Sequence, residues 1–381
     1  MKRTTVQSLP GEFFAPKLQR RRVRVSVKET TNNQLKINMR ICLTGSEGYL
    51  GSLLAPELLR RGHEVIGLDT GFYKEGTLYR SGSTTPLTIA KDLRQLELAD
   101  LAGMDAVVHM AELSNDPLGQ LAPNITYDIN HKASVRLAEI ARQAGVKRFV
   151  YMSSCSVYGV AESDYVDETS PVNPQTAYAI CKTWVERDVR PLANDRFSPT
   201  FLRNATAYGA SPHMRFDIVL NNLSGLAWTT KEIRMTSDGT PWRPLVHGLD
   251  ISRAITSVLE APREAVHNEV FNVGDTAHNY RVREIAEIVA GSFPGCQLSF
   301  GSPSADNRSY RVSFDKIRKH LPGFACAWDA RSGAKQLHDL FQRIDMTQGV
   351  FQHRTFTRLK QLEYLIRTQQ IDPAFFWREG V

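Results

Sequence analysis

The chain has 381 residues, 42% of them apolar, and a formal net charge of +7. It holds no run of about 20 apolar residues, the length a membrane span needs, and five scattered cysteines, Cys42, Cys155, Cys181, Cys296 and Cys326, lack metal-ligand spacing. Sparse and odd in number, they point to reduced thiols in a cytoplasmic protein rather than to a disulfide framework. The charge excess is confined to residues 1–38, where nine Lys/Arg face only Glu12 and Glu29. An RNA-binding role would therefore rest on this arm alone. It has no apolar h-region of a secretory signal and is read as a disordered extension.

From Arg40 the chain alternates short apolar stretches with amphipathic ones. Arg40 to Leu43 reads as a strand, Gly45-Ser-Glu-Gly48-Tyr49-Leu50-Gly51 as a glycine turn, and Leu50 to Arg61 as a helix. Strand, glycine turn and helix together let backbone N–H groups approach a pyrophosphate at a helix N-terminus, where the dipole also favours an anion. A second strand, His63 to Asp69, ends in an acid eighteen positions past Gly51. That distance suits a carboxylate accepting from ribose hydroxyls. No arginine follows immediately, which favours NAD over NADP.

Further strands are expected at Leu87 to Ala90 and Asp105 to Met110, and a helix from Tyr127 through Ala144. A strand ending in Ser153-Ser154 then precedes a helix from Thr176 to Val189 that carries Tyr178 and Lys182. Residues four apart share a helix face, so a phenol and an ammonium can reach one cleft. A free tyrosine, with a pKa of ~10, is a poor base at neutral pH; a nearby cation stabilises its phenolate. With a serine hydroxyl across the cleft, the trio suits removal of a proton from an alcohol.

These motifs, Thr44-Gly45-Ser-Glu-Gly48-Tyr-Leu-Gly51, Arg148-Phe-Val-Tyr-Met-Ser-Ser154-Cys-Ser-Val-Tyr158-Gly159 and Tyr178-Ala-Ile-Cys-Lys182, make the sequence resemble an extended short-chain dehydrogenase/reductase of the NAD-dependent nucleotide-sugar epimerase/dehydratase group, like UDP-galactose 4-epimerase, over roughly Arg40 to Leu321. The resemblance implies an α/β fold: a Rossmann-type doubly wound parallel sheet with a smaller C-terminal α/β substrate lobe. The expected divisions are a basic extension (1–38), an NAD-binding domain (39–210) to which later segments return, a substrate lobe (211–345) and a C-terminal helical extension (346–381).

By the same resemblance, Ser154, Tyr178 and Lys182 are catalytic. NAD is held by Gly45, Gly48, Tyr49, Leu50, Gly51, Asp69, Asp92, Leu93, Met110, Ala111 and Ser153, with Tyr178 and Lys182. A nucleotide sugar meets Glu112, Ser154, Asn204, Asn222, Arg243 and Arg308, the arginine forks gripping phosphate oxygens. Asn130 matches an asparagine that supports the catalytic strand. Glu112 departs from the family's usual alanine, and either binds substrate hydroxyls or points into solvent.

Sugar 4,6-dehydratases of the group carry Asp-Glu directly after the catalytic threonine, and decarboxylases a Glu at the position of Ser156. Here the residues are Cys155 and Ser156, so both reactions lack a carboxylate they need. Cys155 is read as a buried filler rather than an acid, and His213 as a candidate acid by chain order alone. The helical stretches Ser332 to Arg343 and Thr355 to Arg367 are expected on the substrate lobe without a chemical role. The function expected is a nucleotide-sugar epimerase acting at C4 through a keto-sugar intermediate, with a homodimer implied by the resemblance. The alternatives are an NAD(P)H-dependent 4-keto-sugar reductase and a non-catalytic RNA-binding relative.

Overall fold

The computed structural model describes residues 38–114, 122–160, 164–303 and 309–378. The basic arm lies outside them. Parallel strands need a crossover of a dozen or more residues between them, and the alternation of strand and helix supplies it. Strands β1 (Arg40–Thr44), β2 (Glu64–Asp69), β3 (Leu87–Ala90), β4 (Ala106–His109), β5 (Arg148–Ser154), β6 (Ser198–Asn204), β7 (Thr206–Tyr208), β8 (Glu232–Arg234), β9 (Trp242–His247), β10 (Glu269–Val273), β11 (Asn279–Arg281) and β12 (Gln297–Ser299) form three sheets among the described residues. The largest is seven-stranded and parallel, in the order β10-β6-β5-β4-β1-β2-β3.

Helices α1 (Gly51–Arg60), α2 (Ser134–Gln143), α3 (Ala177–Val189), α4 (Val219–Thr229), α5 (Gly248–Glu260), α6 (Val282–Ser292), α7 (Ala330–Arg343) and α8 (Arg358–Arg367) pack around the sheets. On one face of the large sheet, Leu54 and Leu58 of α1 and Ile251, Ile255 and Val258 of α5 meet Ile41, Leu43, Val108 and Val150. On the other, Leu137 and Ala141 of α2 and Val185 and Val189 of α3 meet Cys42, Val107, Phe149 and Phe201. Alternate strand residues thus feed opposite layers, which is the doubly wound arrangement the sequence pattern implied. Because β1 has β2 on one side and β4 on the other, a crevice opens at their carboxyl ends, where such sheets bind ligands. No helix among the described residues is long and apolar enough to cross a membrane.

The expected helix from Tyr127 to Ala144 is interrupted in character. Tyr127–Ala133 is a π-helical stretch that passes into α2. Such stretches widen the helix locally and often mark functional positions. This one carries Asn130, whose Oδ1 accepts from Leu113 N at 2.8 Å and whose Nδ2 donates to Leu113 O at 2.9 Å. Asn130 thereby fixes the turn after β4 that bears Glu112.

The smaller lobe holds the sheets β11-β9-β7 and β12-β8. Leu337, Leu340 and Phe341 of α7 pack there against Ile285 and Val289 of α6 and Leu220 and Leu223 of α4, as expected. The last helix behaves otherwise. Leu362 and Leu365 of α8 are buried with Phe72, Leu113 and Ile129, so α8 covers the loops of the dinucleotide half, while Phe356 just before it packs on Phe216 of the substrate lobe as expected. Burying each such leucine contributes roughly 1.5–3 kcal/mol, which outweighs proximity in sequence.

Gly209 couples the two halves. Its carbonyl accepts from Tyr49 Oη at 2.8 Å and its N–H donates to Asn221 Oδ1 at 2.9 Å. Its φ is +105°, and an added Cβ would stand 2.1 Å from His247 Nε2. Gly209→Ala therefore combines backbone strain with overpacking, and is expected to lower stability by about 2–4 kcal/mol in denaturant titration.

Candidate active site

The carboxyl ends of β1, β2, β4 and β5 and the face of α3 surround a cavity of about 430 Å³. A second cavity of about 190 Å³ continues from it, sharing Ser154, Ser156, Asn204 and Thr206. Of the residues the sequence singled out for the cofactor, Gly45, Gly48, Tyr49, Leu50, Gly51, Asp69, Asp92, Leu93, Met110, Ala111, Ser153, Tyr178 and Lys182 all line the larger cavity.

On the cofactor side, α1 begins at Gly51 with no side-chain cap on its N-terminus. A Cβ on Gly51 would lie 2.1 Å from Gly45 O, so only glycine permits this tight turn. Asp69 at the end of β2 accepts from Glu47 N at 3.0 Å and Gly71 N at 2.8 Å. Burial pushes its carboxyl above the usual range, opposed by those N–H groups. Asp92 accepts from Arg94 N at 2.8 Å and pairs with the Arg94 guanidinium. An uncapped helix N-terminus for a diphosphate and a half-buried carboxylate for ribose hydroxyls fit a nicotinamide dinucleotide.

At the other end, Thr176 caps α3 by accepting from Ala179 N at 3.2 Å, which aims Tyr178 and Lys182 into the cavity. The Lys182 ammonium lies 5.4 Å from the Tyr178 ring centroid and 4.7 Å from that of Tyr151. It donates to Met152 O and stands 2.5 Å from Glu112 Oε2. Tyr151 Oη donates to the other Glu112 oxygen at 2.7 Å. Neither expectation for Glu112 describes it: its carboxylate is buried and occupied by Lys182 and Tyr151, because an isolated charge could not be sequestered there. Burial alone would lower the Lys182 ammonium, yet Glu112, seconded by Tyr178, holds it above its usual value.

Ser154 Oγ accepts from Ser156 N at 3.1 Å and faces both cavities. Ser153, which also lines the larger one, turns its hydroxyl inward to Glu186 Oε1 at 2.5 Å. Glu186 forms a buried two-pronged pair with Arg203, whose fork also donates to Tyr158 Oη at 3.1 Å, and that hydroxyl donates to Asn272 Oδ1 at 2.8 Å. The sequence reading missed this chain. Its one local signal was Glu186, four residues past Lys182 and so on the same face of α3.

Cys155 is buried and donates to Arg203 O at 3.2 Å; it lines neither cavity, and burial pushes its thiol well up. Asn204 donates to Ser153 O and Leu202 O, leaving a buried Oδ1 without a partner where the two cavities meet. Arg243 lines the second cavity with Tyr310. Arg308 lies outside the described residues. Asn222 lines neither cavity, its side chain donating to Phe216 O at 2.9 Å. His213 likewise lines neither, and burial lowers its pKa.

The cavity also contains residues that the sequence reading did not select: Arg215, Asp217 and Arg358. Arg215 and Asp217 form an ion pair at 2.8 Å. Two charges of opposite sign one residue apart within an otherwise apolar run, Met214 to Leu220, were the available signal. Arg358 offered none, since it reaches the site only through tertiary packing.

Comparison with known proteins bears on the family and the fold. The sequence model of the NAD dependent epimerase/dehydratase family matches residues 41–274. The UDP-glucose 4-epimerase of Bacillus subtilis (strain 168) is 27% identical over 330 residues, covering 78% of this chain and 94% of that protein. The UDP-glucose 4-epimerase of Mycolicibacterium smegmatis is 31% identical over 277 residues, covering 67% and 82%. Among solved structures, MoeE5 in complex with UDP-glucose and NAD superposes with a TM-score of 0.69 at 26% identity, over 81% of this chain and 100% of that one. On the family match and the cofactor-fitted cavity together, this chain belongs to the NAD dependent epimerase/dehydratase family.

Proposed function

We propose that this protein is an NAD-dependent nucleotide-sugar 4-epimerase. The observation that carries the reading is that Tyr178 and Lys182 line the same cavity as the glycine turn and Asp69, with Ser154 where that cavity meets the second. Epimerase names among the relatives support it. So does the loop after Ser154, which supplies Cys155 and Ser156 where a dehydratase needs a carboxylate acid and base.

In this mechanism the Tyr178 phenolate takes the proton of the C4 hydroxyl and returns it after the keto sugar has turned over. Ser154 already accepts from Ser156 N, so its own O–H proton is left for the same substrate oxygen. Lys182 favours the phenolate through its charge, while Glu112 at 2.5 Å offsets part of that field. NAD, which the glycine turn and Asp69 would hold, would supply a reversible hydride acceptor for C4. Asn204 Oδ1 offers an acceptor to the sugar, and Arg243 with Tyr310 flanks the space for the nucleotide diphosphate. A homodimer is part of the proposal, and the half-exposed, stacked rings of Tyr127 and Trp184 on the π-helical stretch and α3 support a contact there.

Purified protein incubated with UDP-glucose and other nucleotide sugars, without added cofactor, should give the C4 epimer by NMR while NAD stays bound. A stoichiometric demand for fresh NADH would instead identify a reductase. Tyr178→Phe should lower kcat by about 100- to 10,000-fold and leave bound NAD in place, as read by absorbance of the released nucleotide.

Glu112→Gln tests the electrostatics. Removing that negative charge makes the neighbouring phenol easier to ionise, and also withdraws what holds Lys182 up. Both limbs of the kcat–pH profile should move to lower pH, by about one unit. A shift to higher pH would contradict the assigned pairing.

A further inference from the structure

Arg215 and Arg358 are both buried and both line the larger cavity, yet their partners differ. Arg215 spends its fork on Asp217, at 2.8 and 3.2 Å, and on Ser114 Oγ at 3.0 Å. Arg358 is 3% exposed and gives Asp217 only its backbone N–H, at 3.2 Å. Its guanidinium lies 4.0 Å from the centroid of the Tyr73 ring, and no residue among those described accepts a hydrogen bond from it. A guanidinium carries five donors and keeps its charge at neutral pH, here with a pKa lowered by burial and by Arg215 to about 10. Stacked on Tyr73 but without an acceptor among the described residues for its N–H groups, the fork is open to an anionic ligand. Asp69, the other nearby carboxylate, is already engaged by Glu47 N and Gly71 N.

The position of this fork is set by a segment beyond the family match. Trp377 Nε1 donates to Thr70 O at 2.6 Å, Gln361 Nε2 to Phe72 O at 3.0 Å and Arg354 to Glu75 at 2.9 Å, while Arg94 donates to Ala374 O at 2.6 Å. The C-terminal segment is therefore fastened to the loops after β2 and β3, beside Asp69 and Asp92. Arg215 adjoins the glycine turn, because Asn221 Nδ2 donates both to Arg215 O at 3.0 Å and to Tyr49 Oη at 3.4 Å.

From this arrangement we infer that the fork of Arg358, with the Asp217-paired Arg215 beside it, clamps the diphosphate of the bound dinucleotide, completing from α8 what the uncapped N-terminus of α1 begins. A planar fork suits two phosphate oxygens. A nucleotide sugar also carries a diphosphate, but the fork stands beside Asp69 and Tyr73, whereas the second cavity has its own arginine, Arg243. The inference rests on the family's cofactor and not on which sugar reaction follows.

The test is calorimetric binding to the full chain stripped of nucleotide, with NAD+, ADP-ribose, adenosine and UDP as probes and no turnover required. R358M, which keeps the apolar stem, should weaken NAD+ and ADP-ribose by about 10- to 100-fold and leave adenosine and UDP unchanged. R367M, on the same helix but with an exposed side chain, should bind all four as the unaltered protein does. Equal losses for adenosine, a loss confined to UDP, or no loss at all would each overturn the clamp. Should R358M not fold, R358K keeps the charge without the fork and should give a smaller loss confined to the same two probes.

Discussion

One buried ammonium organises the catalytic end of this molecule. Lys182 is held from three sides: by the carbonyl of Met152 on β5, by Glu112 on the turn after β4, and by its place on α3. A lysine taken out of water must find an anion or lose its proton, and Glu112 is that anion. The surroundings follow from it. Asn130 on its π-helical turn grips Leu113 next to Glu112, Tyr151 takes the second carboxylate oxygen, and Thr176 fixes where α3 starts. With its carboxylate 2.5 Å from the ammonium, Glu112 also tempers the positive field that reaches the Tyr178 phenol.

Beneath that layer runs a second set of buried charges. Ser153, Glu186, Arg203, Tyr158 and Asn272 link α3 through β5 and β6 to the edge strand β10. With every member hydrogen-bonded, such a network holds its elements in one arrangement. It also explains why Ser153, although it borders the cavity, directs its hydroxyl away from it. The neighbouring Ser154 is left to face the ligand.

Much of this was legible in the chain. The spacing of Gly45, Gly48 and Gly51 between an apolar strand and an amphipathic helix, and the four-residue interval from Tyr178 to Lys182, are local patterns dictated by backbone geometry. The parallel sheet follows from strand-helix alternation. What could not be read were pairings made across the fold. Whether Glu112 faces solvent or Lys182 depends on how the turn after β4 meets α3. The partnership of Glu186 with Arg203 joins a helix to a strand, and Arg358 enters the cavity only because Leu362 and Leu365 find Phe72 and Ile129. Sequence separation hides such contacts, since no propensity or motif encodes them.

The fastening of residues 354–378 onto the loops near Asp69 and Asp92 carries a consequence for biosynthesis. A ribosome delivers the sheet, the glycine turn and both serines well before this segment emerges, so the contacts to Thr70, Phe72, Glu75 and Arg94 can form only after those parts have been made. Closure then comes late, after translation has passed the substrate lobe.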